Sequence, residues 1–433
     1  MNTINPKYSY KFVIAFFIIL SVYLIWITAK FSSNVAFSDQ IDIFFGYLTN
    51  QNLTSLFLQQ HGPHRQGFGT ALMLPTLWLS NWNFSVVSYL TALIMILSAY
   101  ILIISLRISQ INQVTAIACV LLVLSLGAAE LLIVTPNISH SSLPVLFSLM
   151  IFWLALKNTS NLITIGFLNL IIVIFSLFTG FGIFLFLSFF IILTIRLTHQ
   201  ILFTNKIDQK FFLLYIFSCS VAFVSVFIFF DGYSKATAEG CAPSAIDNIW
   251  EVLVYSLSVA SVSLGGSKLG LFSMPVGLFA VIGLFVISYV STKRLIYSDD
   301  RSAAGVLLLV LFSLFFIFST ALGRHCLGDN SAFSQRYYPI TSIGLVGALI
   351  GFNKWYRNYF YSLMNKILSI IVILLSISLV FPSGYNLILQ YNGHKNNFIL
   401  CLKNIGSVKD CNEKFFIYPD YKRLDAFLHL ISR

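Results

Sequence analysis

Charge is what this chain has least of. Only 9% of its 433 residues are Asp, Glu, Lys or Arg and 58% are apolar, where soluble domains hold about 25% and roughly 45–50%. So little charge cannot cover a water-soluble body of this size, which excludes a soluble enzyme. The signatures of soluble nucleotide and redox chemistry are missing too: no Walker loop, no dinucleotide-binding glycine fingerprint, no paired C-x-x-C and no G-x-S-x-G. ATP-driven transport by this chain alone is therefore not expected. Long internal repeats and low-complexity tracts are also absent.

Apolar blocks of about 20 residues fill the chain instead, the length that crosses about 30 Å of hydrocarbon. Helices are the expected form, because an unpaired strand edge in lipid leaves backbone groups unsatisfied. The sequence reads as an all-α polytopic integral membrane protein with about 11 transmembrane helices, in a range of 9–13. The spans fall at about 11–29, 84–106, 114–134, 142–156, 161–179, 181–196, 211–230, 270–290, 303–322, 338–353 and 367–382. The count is loosest over 142–196, where Thr179-Gly180-Phe181-Gly182 is either a hairpin tip or a kink in one long helix. Segment 68–80 is apolar but short and reads as an interfacial helix. The first span follows Lys7 and Lys11, exceeds a signal-peptide core and lacks a small-x-small cleavage site, which makes it a retained anchor.

Basic residues set the orientation. With a cytoplasmic N-terminus, thirteen Lys and Arg fall on the inner side, from Lys7 through Lys157, Arg196 and Arg301 to Lys366, against six in the outer loops. The formal charge of +11 is thus a topology signal, and no nucleic-acid partner is expected. Cys119 and Cys219 fall within spans, while Cys241, Cys326, Cys401 and Cys411 fall outside, where an oxidising compartment allows pairing. Of three connectivities, Cys401 with Cys411 and Cys241 with Cys326 is favoured.

The chain divides into a membrane domain, 1–382, and an outer C-terminal tail, 383–433, expected to pack on the outer loops. Three outer segments exceed what a turn needs: 31–83, 231–266 and 323–339. The first carries Asp39 and Asp42, spaced to share one helix face, and then His61, His64 and Arg65. The third carries Arg324, Arg336 and Tyr337. A carboxylate at the water–lipid boundary is suited to general-base work, and guanidinium forks suit a phosphate. Together they are what glycosyl transfer from a lipid-phosphate sugar needs: a base for the acceptor hydroxyl and cations for the departing phosphate.

This arrangement resembles the GT-C class of polytopic membrane glycosyltransferases, and within it the phage-borne glucosyltransferases that decorate O-antigen. The likeness rests on Asp39 and Asp42, on His64-Arg65, and on Gly323-Arg324, Gly328, Ala332 and Arg336-Tyr337. Pro63 stands where such proteins often carry Glu. The resemblance implies an inverting hexosyl transfer, of glucose by that likeness, from a polyprenyl-phosphate donor to a polysaccharide or lipid-linked glycan acceptor. It places the enzyme in a bacterial inner membrane, surrounded by membrane lipids and with its active loops in the periplasm. Asp39 is the first choice for the base and Asp42 the second, with His64, Arg65, Arg324, Arg336 and Tyr337 binding substrate.

Plainer roles compete for several of these residues. His61 and His64 are metal-ligand types, but Gly62-Pro63 between them opposes a regular helix, so no metal or other cofactor is expected. Glu130 reads first as a paired acid at a span end, and Tyr337, Tyr338, Trp78 and Trp82 as interfacial aromatics. An O-antigen polymerase is the alternative enzyme, and a lipid-linked glycan flippase or transporter the alternative class. The latter predicts charges inside the spans, which are nearly free of them.

Overall fold

The computed structural model of the chain describes residues 6–49, 56–61, 64–157, 162–204, 209–233, 248–356 and 359–431. It opens with α1 (Pro6–Phe31), α2 (Asp39–Leu48), the short strands β1 (Gln60–His61) and β2 (His64–Arg65), and α3 (Gly67–Leu79). Six helices follow: α4 (Ser85–Ile108), α5 (Gln113–Val123), α6 (Leu143–Leu156), α7 (Leu162–Leu177), α8 (Gly182–His199) and α9 (Gln209–Phe230). The second half holds α10 (Ile249–Ser261), α11 (Ser273–Ser298), α12 (Arg301–Arg324), α13 (Tyr338–Trp355), α14 (Tyr359–Leu375) and α15 (Phe381–Ile405). Two short helices, α16 (Val408–Phe415) and α17 (Tyr421–Ile431), close the described chain.

Each expected span carries a helix. Eight helical stretches among the described residues are long and apolar enough to cross a membrane. The three other expected spans belong to α5 and α7, which are shorter, and to α13, which is less apolar. Large apolar side chains such as Phe12, Ile19, Phe223, Phe227 and Phe279 lie exposed on the outer faces, as lipid-facing surface requires. The protein is an all-α polytopic membrane protein.

α12 is the hub, packed by α6, α8, α10, α11 and α13. Small residues allow the closest approach: a Cβ on Gly344 of α13 would lie 2.4 Å from the Ser313 side chain of α12. This is the packing mode of helices that gain nothing from excluding water.

Three expectations change. The span placed at 114–134 stops at Val123, where the chain passes through a 3₁₀ turn (Leu126–Ala128) and a π turn (Glu130–Val134). Ser125 starts that break by accepting the Gly127 N–H at 3.1 Å. The outer segment 231–266 is not all loop, since α10 occupies its second half and packs on α11 and α12. Its serines lower the hydropathy, yet Ser256 and Ser261 return their hydroxyls to carbonyls of their own helix at 2.7 Å. The boundary at 382 falls inside a continuous helix from Ser362 to Ile405. Pro382 cannot donate to the carbonyl four residues back, and a π turn (Ser376–Val380) carries the helix past it.

The helix bundle has two chemically distinct ends. At one, Arg196 pairs with Asp299, Arg294 with Asp300, and Arg301 reaches the Lys157 carbonyl. Tyr10 bonds to Ile111 and Asn112 to Asn353 at the same end, so cations assigned to the inner side from sequence do gather together. At the other end lie the C-termini of α1, α9 and α12 and the N-termini of α6, α8 and α13, with α2 and the tail above them.

Candidate functional site

Asp39 is the first residue of α2, where the helix dipole favours a carboxylate. Its position is fixed from three sides. Ser38, at φ 48°, donates its N–H to Ile417 of the tail at 3.1 Å. Gln40 accepts the Phe37 N–H at 3.1 Å and donates to the Pro136 carbonyl at 2.8 Å. The Asp39 carboxylate then meets two cations, His61 Nε2 and Arg336 Nη1, each at 3.6 Å.

Arg336 is held in turn by Glu130. The guanidinium contacts Glu130 Oε1 at 2.6 and 2.7 Å, while Oε2 accepts the Arg336 N–H at 3.0 Å and the Ser334 hydroxyl at 2.7 Å. Glu130 begins the π turn that interrupts the expected span, so the break in the helix delivers this acid to the site. Burial alone would raise the Asp39 pKa, but the close His61 contact and the Arg336 charge outweigh it and hold the carboxyl well below the usual range. Burial would lower His61, and the Asp39 carboxylate beside it raises it instead. Asp39 is therefore ionised and faces a histidine that keeps its proton above the ordinary range.

A wall of rings runs from His64 to the second arginine. His64 and His140 each meet the Phe181 ring edge to face at 4.5 Å between centroids. Phe181 meets Phe316 at 4.6 Å, and Phe316 meets Tyr337 at 5.6 Å. Arg324 donates to the Tyr337 hydroxyl at 3.0 Å. Burial, aided by the Arg324 and His61 charges, pushes His64 down to about 3, so it is neutral, and neither of its ring nitrogens has a hydrogen-bond partner among the described residues. The Thr179–Gly182 segment is a buried turn joining α7 to α8. A Cβ on Gly180 would lie 2.4 Å from the His140 carbonyl oxygen.

The sequence-predicted residues separate into two groups. Asp39, His64, Arg324, Arg336 and Tyr337 come together. Arg65 does not join them: its Nε donates to the Phe229 carbonyl at 3.0 Å and its terminal nitrogens to the Leu58 and Asp231 carbonyls. Neighbouring residues on a strand point to opposite faces, so His64 takes the cluster side of β2. Arg65 instead caps the C-terminus of α9, whose last carbonyls need donors. Asp42 is also engaged elsewhere, bonded to the Tyr418 hydroxyl and to Arg423 Nη2 at 3.1 Å. Burial and that carboxylate push the Tyr418 phenol up, which keeps it a donor.

The tail closes over α2 as expected. Cys401 and Cys411 form a disulfide, and Cys326 is disulfide-bonded as well, while its favoured partner Cys241 lies outside the described residues. Asn412 accepts the N–H groups of Ile417 and Tyr418 at 2.9 and 3.0 Å, setting the turn that presents Tyr418 to Asp42.

The sequence reading gave no site role to His140, and His61 was considered only as a metal ligand. A sign of the first lay in Thr135-Pro-Asn-Ile-Ser-His-Ser-Ser142, a polar run between apolar blocks that is wholly buried. Among the described residues no three His, Cys, Asp or Glu group as metal ligands would. Compared with family models, curated proteins and solved structures, the chain matches none.

Proposed function

We propose that this protein is a membrane glycosyltransferase that moves a hexose from a polyprenyl-phosphate donor to a glycan acceptor at the Asp39 end of the bundle. The observation that carries this reading is the half-buried, ionised Asp39 carboxylate between His61 and Arg336, with Arg324 on the same wall.

Asp39 takes the proton of the acceptor hydroxyl as its oxygen attacks the anomeric carbon, and the bond from that carbon to the phosphate oxygen breaks. The charge arriving on the phosphate falls to Arg324 and the protonated His61. Arg336 is spent on Glu130, so it orients Asp39 and is the lesser phosphate ligand. A bound phosphate competes for His61 and Arg336, which releases the Asp39 pKa upward toward a value useful for a base. The gathering of basic residues at the opposite end supports a cytoplasmic location for that end and a periplasmic one for the site in a bacterial inner membrane.

The test is glycan analysis of cells expressing wild type, Asp39→Asn, Arg324→Ala and Arg65→Ala at equal membrane levels. Asp39→Asn should lower hexose addition by about 100-fold or more and Arg324→Ala by about tenfold or more. Arg65→Ala should reduce the amount of folded protein and leave turnover per molecule near wild type. Full activity in Asp39→Asn removes the mechanism, and loss of polymer length in place of a side-branch sugar identifies a polymerase.

A further inference from the structure

One lysine of the tail is buried inside the molecule. Lys395 lies midway along α15 and is 2% exposed, and a lysine is seldom so enclosed, because taking an ammonium out of water is costly. Two contacts offset that cost, and they belong to the two separate limbs that build the site. Its Nζ donates to the Ile133 carbonyl at 3.0 Å. It also lies 5.5 Å from the centre of the Phe37 ring, within range of a cation–π attraction.

The first contact answers a local need. Ile133 belongs to the π turn that delivers Glu130. Just beyond it Pro136 has no N–H to donate, and the Asn137 N–H goes to the Leu131 carbonyl at 3.3 Å. The chain thus runs short of its own donors at the end of the turn, and Lys395 supplies one from another element. The second contact reaches the other limb. Phe37 stands two residues before Asp39, and its ring is met edge to face at 5.4 Å by Tyr391, one turn before Lys395 on α15. Asp39 and the Glu130–Arg336 pair therefore lean on the same helix, and one side chain of that helix touches both limbs.

We propose that Lys395 is a positioning residue of the site, holding the π turn and the Phe37–Asp39 segment at the spacing that sets Asp39 between His61 and Arg336. It acts through those two limbs and not on the substrate. Its effect on turnover rests on the role proposed above for Asp39, whereas the spacing itself is measurable without any transfer assay.

Titration of His61 by NMR in the purified full chain reads that spacing, since burial lowers its pKa and the close Asp39 carboxylate raises it. Lys395→Met, near in length and uncharged, should move His61 down toward or below about 6.5. Loss of a positive charge with nothing displaced would move it up, so the direction separates position from charge. Lys395→Arg, which restores a cation and a donor, should return His61 toward wild type, and Lys403→Met, exposed on the same helix, should leave it unmoved. Phe37→Leu keeps the lysine and its carbonyl bond but removes the ring. It should lower His61 by a smaller amount, and it keeps the test decisive if Lys395→Met does not fold. In the glycan assay Lys395→Met should lower hexose addition by about tenfold or more. A lowered His61 with full hexose addition in both Lys395→Met and Asp39→Asn upholds the positioning and removes the transfer reading. An unmoved or raised His61 in Lys395→Met, or in Phe37→Leu where the former does not fold, overturns the proposal even if Asp39→Asn abolishes transfer.

Discussion

At the scale of single residues, the pairing of Asp39 with His61 makes the site depend on pH in a known direction. Burial by itself lowers the His61 pKa, and it is raised chiefly by the Asp39 carboxylate beside it, with a smaller contribution from the Asp42 charge. Its protonated form therefore stabilises the folded chain fully below about 6.5, and that contribution fades as pH rises through the raised folded value. Replacing Asp39 by Asn should reverse the sign. Titration of labelled histidine by NMR should place His61 above about 6.5 in wild type and below it in Asp39→Asn; an unmoved His61 would mean that another group holds its proton. The acid, its two arginines and the tyrosine were legible from their clustering in outer segments. Arg65 was misread because adjacency in sequence is separation in space on a strand, and nothing in the dipeptide His64-Arg65 says that it is one.

At the scale of elements, helix positions were legible because apolar length is a direct readout of the membrane, whereas the interruptions that build the site were not. The π turn at Glu130 lies where a hydropathy window averages it into the span at 114–134, and the polar run from 135 falls between two spans, where it reads as a plain connection. α10 was missed for the opposite reason, as its serines dilute a helical face formed by Val252, Tyr255, Ser256 and Val259. The α7–α8 turn offers a local test. A methyl group on Gly180 meets the His140 carbonyl, so Gly180→Ala should cost about 1–3 kcal/mol. Gly323, where an added Cβ meets nothing within 4 Å among the described residues, should accept Ala within about 0.5 kcal/mol. Thermal unfolding in detergent distinguishes the two, and equal loss in both would mean the turn is not packed as described.

At the scale of the whole molecule, the outward-facing phenylalanines and the segregation of cations to one end follow from a chain that is solvated by lipid along its middle and by water at its ends. The tail is the part whose placement needed three dimensions. It rides on the helix from Ser362 to Ile405, 44 residues long, or about 66 Å at about 1.5 Å per residue. That is about twice the hydrocarbon thickness of about 30 Å, so this helix works as a ruler with an angular scale as well as a linear one. Each inserted residue turns everything beyond it by about 100° and lifts it by about 1.5 Å. One alanine after Tyr385 should therefore swing Tyr418 and Arg423 away from Asp42, while seven restore the bearing but raise the tail by about 10 Å. Both insertions should expose the segment 408–431 to trypsin, which would show that the tail reads phase and height together; protection in the seven-residue case would leave phase alone as the measure.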